Sequence, residues 1–445
     1  MNSFVPFDEI WPRVQRALEE PARGGLPARG LSELWVVRDL VGRIRLLVPE
    51  QPRPDPELEQ GLLALATILY NELGAHARAP EQAVLTVGED ELEMLRDGAV
   101  GHEIGGLTVY LVDRLVTGSG WATVTPGPRP GRPLRITLFS VKGGVGRSTT
   151  AAVIAAHLAQ KGYRVLVVDL DLESPGLSSM LLAPDEHPDF GIVDWFVEDL
   201  VGQGDEVVRH MVGRPNWGQD LRGEILVTPS YGRQPGEYLA KLGRVYLDLP
   251  PDKPGDPPER WTARLQRMLN AVEEQEQPDV VLLDSRSGLH DLAAASVTDI
   301  YAQVLLFAVD SEATWAAYRV LLEHWQAHQV VKNIRERLSL VAALVPDVEP
   351  QAYLDRFRER AWGLFQECLY DAVPAGGGED PEADLFSFDL TEEDAPHNPL
   401  PVYWNRGLAA LHSLRTLERS ALSLAYDPFF ARFDPLFQVL WEEAK

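Results

Sequence analysis

Residues 141–150, VKGGVGRSTT, carry the strongest chemical signal in the chain. They lie between an apolar run, RITLFSV, and a helical one, STTAAVIAAHLAQKG. A strand that enters a glycine-rich turn and leaves as a helix is an arrangement that holds phosphate. Gly143, Gly144 and Gly146 let the backbone bend tightly and turn N–H groups towards phosphate oxygens, with Val145 in the same turn. The helix N-terminus adds partial positive charge. Ser148 is placed to bind Mg2+ through its hydroxyl, and Thr149 to hydrogen-bond a phosphate. Two cations, Lys142 and Arg147, flank the glycines. Asp169 and Asp171 close the run RVLVVDLD, and Asp284 closes DVVLLDS. A carboxylate at the C-terminal end of a parallel strand faces the ligand crevice of such a sheet.

The elements that must position these residues are legible as alternating patterns. Continuous apolar runs separated by helical segments (RITLFSV, RVLVVDLD, EILVTPS, DVVLLDS, AQVLLFAVD and finally LSLVAALVP) predict an α/β, doubly wound, mostly parallel sheet with helices on both faces. Residues 1–124 predict a separate small α+β domain. It has an amphipathic helix over Phe7 to Leu18, strand-like ELWVVRDL and GRIRLLVP, an apolar-periodic helix over Leu58 to Leu73, and strand-like AVLTVGE and LTVYLVDRLV. His76 and His102 are isolated there and are expected to be surface or structural. The stretch TPGPRPGRP, 125–133, reads as a linker. Residues 134–350 form the expected nucleotide-binding domain, and 351–445 a mainly helical extension packed on it. PPDKPGDPPE reads as a turn before a helix at 260–275, and GGGEDPEAD as a flexible acidic loop.

Bulk properties exclude several partners. The formal charge is −26, from 41 Lys and Arg against 67 Asp and Glu. Without a long basic run, binding to DNA backbone or anionic lipid is disfavoured. No stretch of eighteen apolar residues occurs, and MNSFVPFDEIWPRV lacks a basic-then-apolar leader, so a soluble, cytoplasmic protein is expected. Cys368 is the single cysteine, which excludes an intramolecular disulfide and a cysteine-ligated cluster within one chain. The tail SALSLAYDPFFARFDPLFQVLWEEAK is aromatic but acidic, with Asp-Pro pairs expected to interrupt a helix; core or interface packing suits it better than a membrane surface.

The standard phosphate-loop pattern G-x-x-x-x-G-K-[ST] is not met, because Val141 stands at its first glycine and Arg147 at its lysine. What is met is the variant with an early lysine, K-G-G-x-G. Here the chain resembles the MinD/ParA family of deviant Walker P-loop ATPases, over roughly residues 133–346. The form KGGVGRST resembles the KGGVGR-motif variant group, associated with bacterial conflict or anti-phage gene clusters. The resemblance implies a P-loop NTPase fold, bound ATP and Mg2+, and a nucleotide-sandwich homodimer. It implies that Lys142 reaches across to the partner's phosphates. It also implies that Asp169 and Asp284 lie at the metal shell, that Asp171 orients the attacking water, and that Gly288 is the switch glycine.

Departures from the family leave three outcomes for Arg147. It binds phosphate with slow hydrolysis, it permits binding without turnover, or it swings out and binding weakens. An arginine fork is not equivalent to a lysine point charge in a crowded loop. Lys142 stands out in a chain whose other lysines are at 161, 241, 253, 332 and 445. The family's adenine-contacting Asn after the late strand is replaced by Val345-Pro346-Asp347, which leaves GTP open beside ATP. In EDAPHNPLPVYWNRG, His397, Trp404, Asn405 and Arg406 either border a nucleotide or partner surface or form a packed turn. The expected function is a nucleotide-dependent switch acting on a protein partner through the N-terminal domain. The alternatives are a non-hydrolysing sensor or scaffold and, third, a DNA-partitioning ATPase.

Overall fold

Period-2 alternation near the N-terminus builds a half-sheet with two apolar faces. A computed structural model describes residues 4–19, 25–28, 30–50, 55–96, 99–125, 131–216, 221–251, 253, 257–372, 385–408 and 419–445. It divides into two units, Met1–Ala122 and Thr123–Lys445. The first contains α1 (Ile10–Glu19), β1 (Glu33–Arg38), β2 (Ile44–Pro49), α2 (Pro56–Leu73), β3 (Val84–Val87), α3 (Glu89–Arg96), β4 (Val100–Ile104) and β5 (Leu107–Asp113). The strand order is β3-β2-β1-β5-β4. Leu34 and Val36 face one side, against Ile10, Val14, Leu58, Leu62, Leu65 and Leu69 of the two longer helices. Trp35 and Val37 face the other, with Leu47, Val112 and Leu92. Asp55 caps α2 by accepting from the N–H groups of Glu57 and Leu58, and Pro56 occupies the first helical position. His76 donates from Nδ1 to the Gly42 carbonyl, 3.0 Å away, and packs edge-on to Phe7, a structural use.

The second unit contains β6 (Leu134–Phe139), α4 (Arg147–Gln160), β7 (Arg164–Asp169), α5 (Ile192–Asp199), β8 (Glu224–Thr228), α6 (Trp261–Glu276), β9 (Val280–Asp284), β10 (Gln303–Ala308), α7 (Glu312–Ala327), β11 (Leu338–Val345), α8 (Pro350–Cys368), β12 (Leu400–Tyr403) and α9 (Arg419–Ala444). Seven strands lie in the order β12-β11-β10-β6-β9-β7-β8, and every pairing among them is parallel. Burial on both faces explains the continuous Val and Leu runs. One face packs against α4 and α9, and the other against α5 and α6. Beyond β6 the chain winds first one way and later the other. A crevice therefore opens at the C-terminal end of β6.

Two expectations need correction. LSLVAALVP is not the last strand, because Leu400–Tyr403 joins the sheet beside it, pairing Val341 with Leu400 and Ala342 with Pro401. Nor do the Asp-Pro pairs interrupt the tail. Pro428 and Pro435 both lie inside the 26-residue α9. The carbonyls they leave without an N–H partner belong to Leu424 and Ala431, which are both exposed, so water satisfies them. The opposite face carries the buried Tyr426, Phe429, Phe433 and Phe437, stacked along the helix and packed into the same core as Ala151, Ala152 and Ala155 of α4. Asp434 binds His157 at 2.8 Å and Lys161 at 2.6 Å, and the Tyr426 hydroxyl lies 3.0 Å from that of Thr150. Phe433→Ala is expected to cost about 3–5 kcal/mol of stability in urea titrations, the range for a truncated core phenylalanine. A loss below about 1 kcal/mol would show that α9 is peripheral. GGGEDPEAD, most of the linker and part of PPDKPGDPPE lie outside the described residues. Among the described residues no helix is long and apolar enough to cross a membrane.

Candidate functional site

The turn from β6 into α4 depends on left-handed backbone at Gly144 (φ +75°) and Gly146 (φ +82°). An added Cβ would meet nothing within 4 Å at either position, so the requirement is torsional rather than steric. Ser140 Oγ donates to the Lys142 carbonyl at 2.6 Å and fixes the start of the loop. Gly146 caps α4 with no side-chain bond to its first turn, so the opening N–H groups face the crevice as anion donors. Thr150 folds back on the Gly146 carbonyl through both N–H and hydroxyl, each at 2.9 Å. Behind the loop, the Gly288 N–H donates to the Ser140 carbonyl at 2.9 Å, with Gly288 at φ +89°.

The carboxylates come together by strand register. Asp169 on β7 and Asp284 on β9 are paired residues of neighbouring parallel strands. Both are buried, at 0% and 1% exposure. Asp169 Oδ2 accepts from Ser178 Oγ at 2.8 Å and Ser178 N at 3.2 Å, and the Asp171 N–H group lies close to the carboxylate; Oδ1 has no partner in good hydrogen-bonding geometry among the described residues. Neither oxygen of Asp284 has a partner in good hydrogen-bonding geometry among the described residues, and the Ser148 hydroxyl is close enough to favour its charged form. Burial pushes Asp284 up to about 7, opposed by the Arg147 charge and reinforced by Asp169. Burial likewise pushes Asp169 up to about 6, opposed by the Ser178 bonds and reinforced by Asp171. Asp171 is raised by burial and held back by the charges of Arg147 and Arg286.

Arg147 turns inward. It is 7% exposed, and its Nη2 lies 3.7 Å from Asp171 Oδ2. Its Nη1 is buried without a hydrogen-bond partner among the described residues. Lys142 is exposed and forms no ion pair among the described residues. Ser148 and Thr149 are half-buried at the start of α4. The geometry thus gathers Arg147, Ser148, Asp169, Asp171 and Asp284, and leaves Lys142 exposed to solvent. In the 393–407 segment, His397 is fully buried between the Tyr370 hydroxyl at 2.6 Å and the Leu390 carbonyl at 3.1 Å, a packing role. Asn405 is used within its own turn, accepting from Gly407 N at 2.8 Å, while Trp404 is exposed.

Several neighbours of the site escaped the sequence reading. Glu173, four residues beyond the strand-end Asp169, pairs at 2.7 Å with Arg286, two residues beyond the strand-end Asp284. Tyr238 and Tyr246 reach the same place from the connection between β8 and α6. The regular placement of charged residues just past Asp171 and Asp284 was the available signal. Among the described residues no three His, Cys, Asp or Glu side chains form a metal-holding group. Mg2+ needs no such group, because it uses one or two carboxylates and takes its remaining oxygens from phosphate and water. The unpartnered oxygens of Asp284, beside the Ser148 hydroxyl, fit that demand.

Residues 136–359 match the CobQ/CobB/MinD/ParA nucleotide-binding domain. The chain belongs to this family. As a CobQ/CobB/MinD/ParA protein it is similar to the chromosome-partitioning ATPase Soj of Thermus thermophilus, 52% identical over 46 residues, 10% of this chain and 18% of Soj. It is also similar to the iron-sulfur cluster carrier protein of Salmonella typhimurium, 45% identical over 53 residues, 12% of this chain and 14% of that one. The chain therefore spans less than a fifth of either relative's length. Among solved structures, pNOB8 ParA bound to nonspecific DNA superposes with a TM-score of 0.41 at 18% identity, covering 70% of this chain and 96% of that one. The family is one of nucleotide-binding, switch-like P-loop ATPases, and the fold described above is its mostly parallel sheet preceded by a small mixed one.

Proposed function

We propose that this protein is a slow, Mg2+-ATP-driven dimeric switch. The observation that carries it is the pair Asp169 and Asp284, buried in register with unpartnered oxygens beside an uncapped helix N-terminus. Two buried carboxylates repel each other and lose hydration, a cost that a bound cation offsets. The backbone of Gly143, Gly144, Val145 and Gly146, with Arg147 and Thr149, would hold the phosphates. Ser148 and Asp284 would hold Mg2+, with Asp169 behind them. When bound, the metal ion draws charge from the β- and γ-phosphate oxygens. Asp171 would orient a water molecule against the γ-phosphate. Attack by that water breaks the bond to ADP and releases inorganic phosphate.

The exposure of Lys142 supports a role in trans, on the phosphates of a second copy. We assign residues 1–124 to a protein partner and residues 351–445 to support of the nucleotide domain. The KGGVGR form supports placement in a bacterial conflict or anti-phage system. DNA stays outside this reading because the chain carries a charge of −26; salt-sensitive, ATP-dependent DNA binding would reverse that exclusion. Light scattering should show the mass doubling with ATP. Lys142→Ala should stay a monomer and lose about 100-fold in hydrolysis, the scale for one transition-state cation or donor. An unchanged mass in wild type, with Lys142→Ala turning over ATP normally, would remove the sandwich.

One observation favours a second reading, a nucleotide-binding sensor without turnover. Arg147 engages Asp171, the residue required to orient water. Single-turnover phosphate release that disappears in Asp171→Ala would eliminate it.

A further inference from the structure

The Asp171 carboxylate is held by the Ser174 N–H group and by the charges of Arg147 and Arg286, with no side chain donating a hydrogen bond to it among the described residues. Its Oδ1 is buried without a hydrogen-bond partner among the described residues, and the Arg147 contact at 3.7 Å is an ion pair rather than a hydrogen bond. Its backbone carbonyl closes only a local turn, with Ser174 N at 3.2 Å. The residues that follow are held by other elements, Glu173 through one of its two oxygens. Glu173 Oε1 accepts from the Tyr246 hydroxyl at 2.8 Å and pairs with Arg286 at 2.7 Å. His290 Nε2 approaches the same oxygen at 3.9 Å. The Tyr238 hydroxyl donates to the Leu172 carbonyl at 2.5 Å, and the Leu172 side chain is fully buried. Tyr246 is itself wedged edge-on between Trp261 and His290.

These contacts come from two other regions of the sheet's C-terminal edge. Tyr238 and Tyr246 belong to the connection between β8 and α6, and Arg286 and His290 to the segment after β9. Glu173 is the point at which both meet the loop after β7. On the other side of that loop, Leu170 N donates to the Asp284 carbonyl at 3.0 Å and Ser230 Oγ to the Asp169 carbonyl at 2.8 Å. Asp171 is thus suspended between two fixed points, the strand end and Glu173. An aspartate that must hold water within a fraction of an ångström of its attack line needs such a frame, because small misplacements cost about 100-fold in rate.

We propose that Glu173, held by Arg286 and Tyr246, is a positioning residue that fixes Asp171 for hydrolysis without touching the nucleotide. The assignment rests on Asp171 as the water-orienting residue. It gives the β8–α6 connection a defined task, that of setting hydrolysis rate independently of nucleotide affinity.

Steady-state and single-turnover kinetics on the full chain test it, with calorimetric ATP binding in parallel. Glu173→Gln should lower kcat by at least 10-fold, with KM and the Kd for ATP within twofold of wild type. Tyr246→Phe should lower kcat less, and Arg286→Lys should retain more activity than Arg286→Gln because it keeps the charge facing Glu173. In an Asp171→Ala background, Glu173→Gln should cost nothing further, since a residue acting through another has no effect once that other is gone. A further loss in the double variant, an equal rise in KM and Kd, or an unchanged kcat would each overturn the assignment. Wild-type hydrolysis no faster than that of Asp171→Ala would instead remove Asp171's role, and Glu173's with it.

Discussion

Asp284→Asn will make the nucleotide-free protein more stable at pH 8 than the wild type, while weakening Mg2+-dependent ATP binding at least tenfold. Asp284 is fully buried, its folded-state value is pushed up to about 7 from an ordinary 3.8, and Asp169 stands beside it in register. Between those two values the folded protein keeps a proton that the unfolded chain has released. Raising the pH through this window therefore draws stability away from the fold, by roughly 1 kcal/mol per pH unit. Asparagine does not titrate. Its advantage is absent below about pH 4, grows between about pH 4 and 7, and levels off above that. The gain is partial, because the amide is still buried without partners. Melting curves at pH 5 and 8 check the sign, and a variant less stable than wild type at pH 8 would mean that the carboxylate is already compensated in the apo protein. Stability given up at a position that binding requires is a common mark of a functional site.

Arg147→Lys is expected to raise the single-turnover rate of ATP hydrolysis about tenfold. The arginine is buried, and its guanidinium points at Asp171 from 3.7 Å. Nucleotide phosphates must compete with that carboxylate for the same cation, and Asp171 must be released before it can orient water. Lysine is shorter, concentrates its charge at one atom, and does not bridge two partners through a fork. The swap should weaken the link to Asp171 and leave a compact charge for the phosphates. Quench-flow measurement of phosphate release at saturating ATP reads the outcome. A fall in rate would show that the fork itself binds the transition state. No rate in either protein would favour the sensor.

The parts of the fold that were legible in the sequence are those whose burial is two-sided or whose motif is local. Six runs such as RVLVVD and VVLLD read as parallel strands because both faces are covered and few polar residues interrupt them. Strand β12 did not, since LPVY is four residues long and contains a proline. At the sheet edge that proline is tolerated, because one side of the strand needs no donor. The prolines of α9 misled in the same way: the carbonyls they free belong to Leu424 and Ala431 on the exposed side of the helix, where a lost bond is least costly, while the buried aromatic face holds the helix in place. At the site, the glycine loop was readable because backbone torsion is a local demand. The contacts of Glu173 were not, because Tyr246 lies 73 residues away and no periodicity links them.

The stacking of α9 on α4 also orders events in time. The two hydroxyls that join these helices are 276 residues apart in the chain. The helix that opens with the phosphate loop therefore leaves the ribosome long before the aromatic face that completes its core. At about 5–20 residues per second, that interval lasts tens of seconds. During it, the alanine-rich side of α4 is an uncovered apolar surface, and the nascent chain is exposed to aggregation or in need of a chaperone.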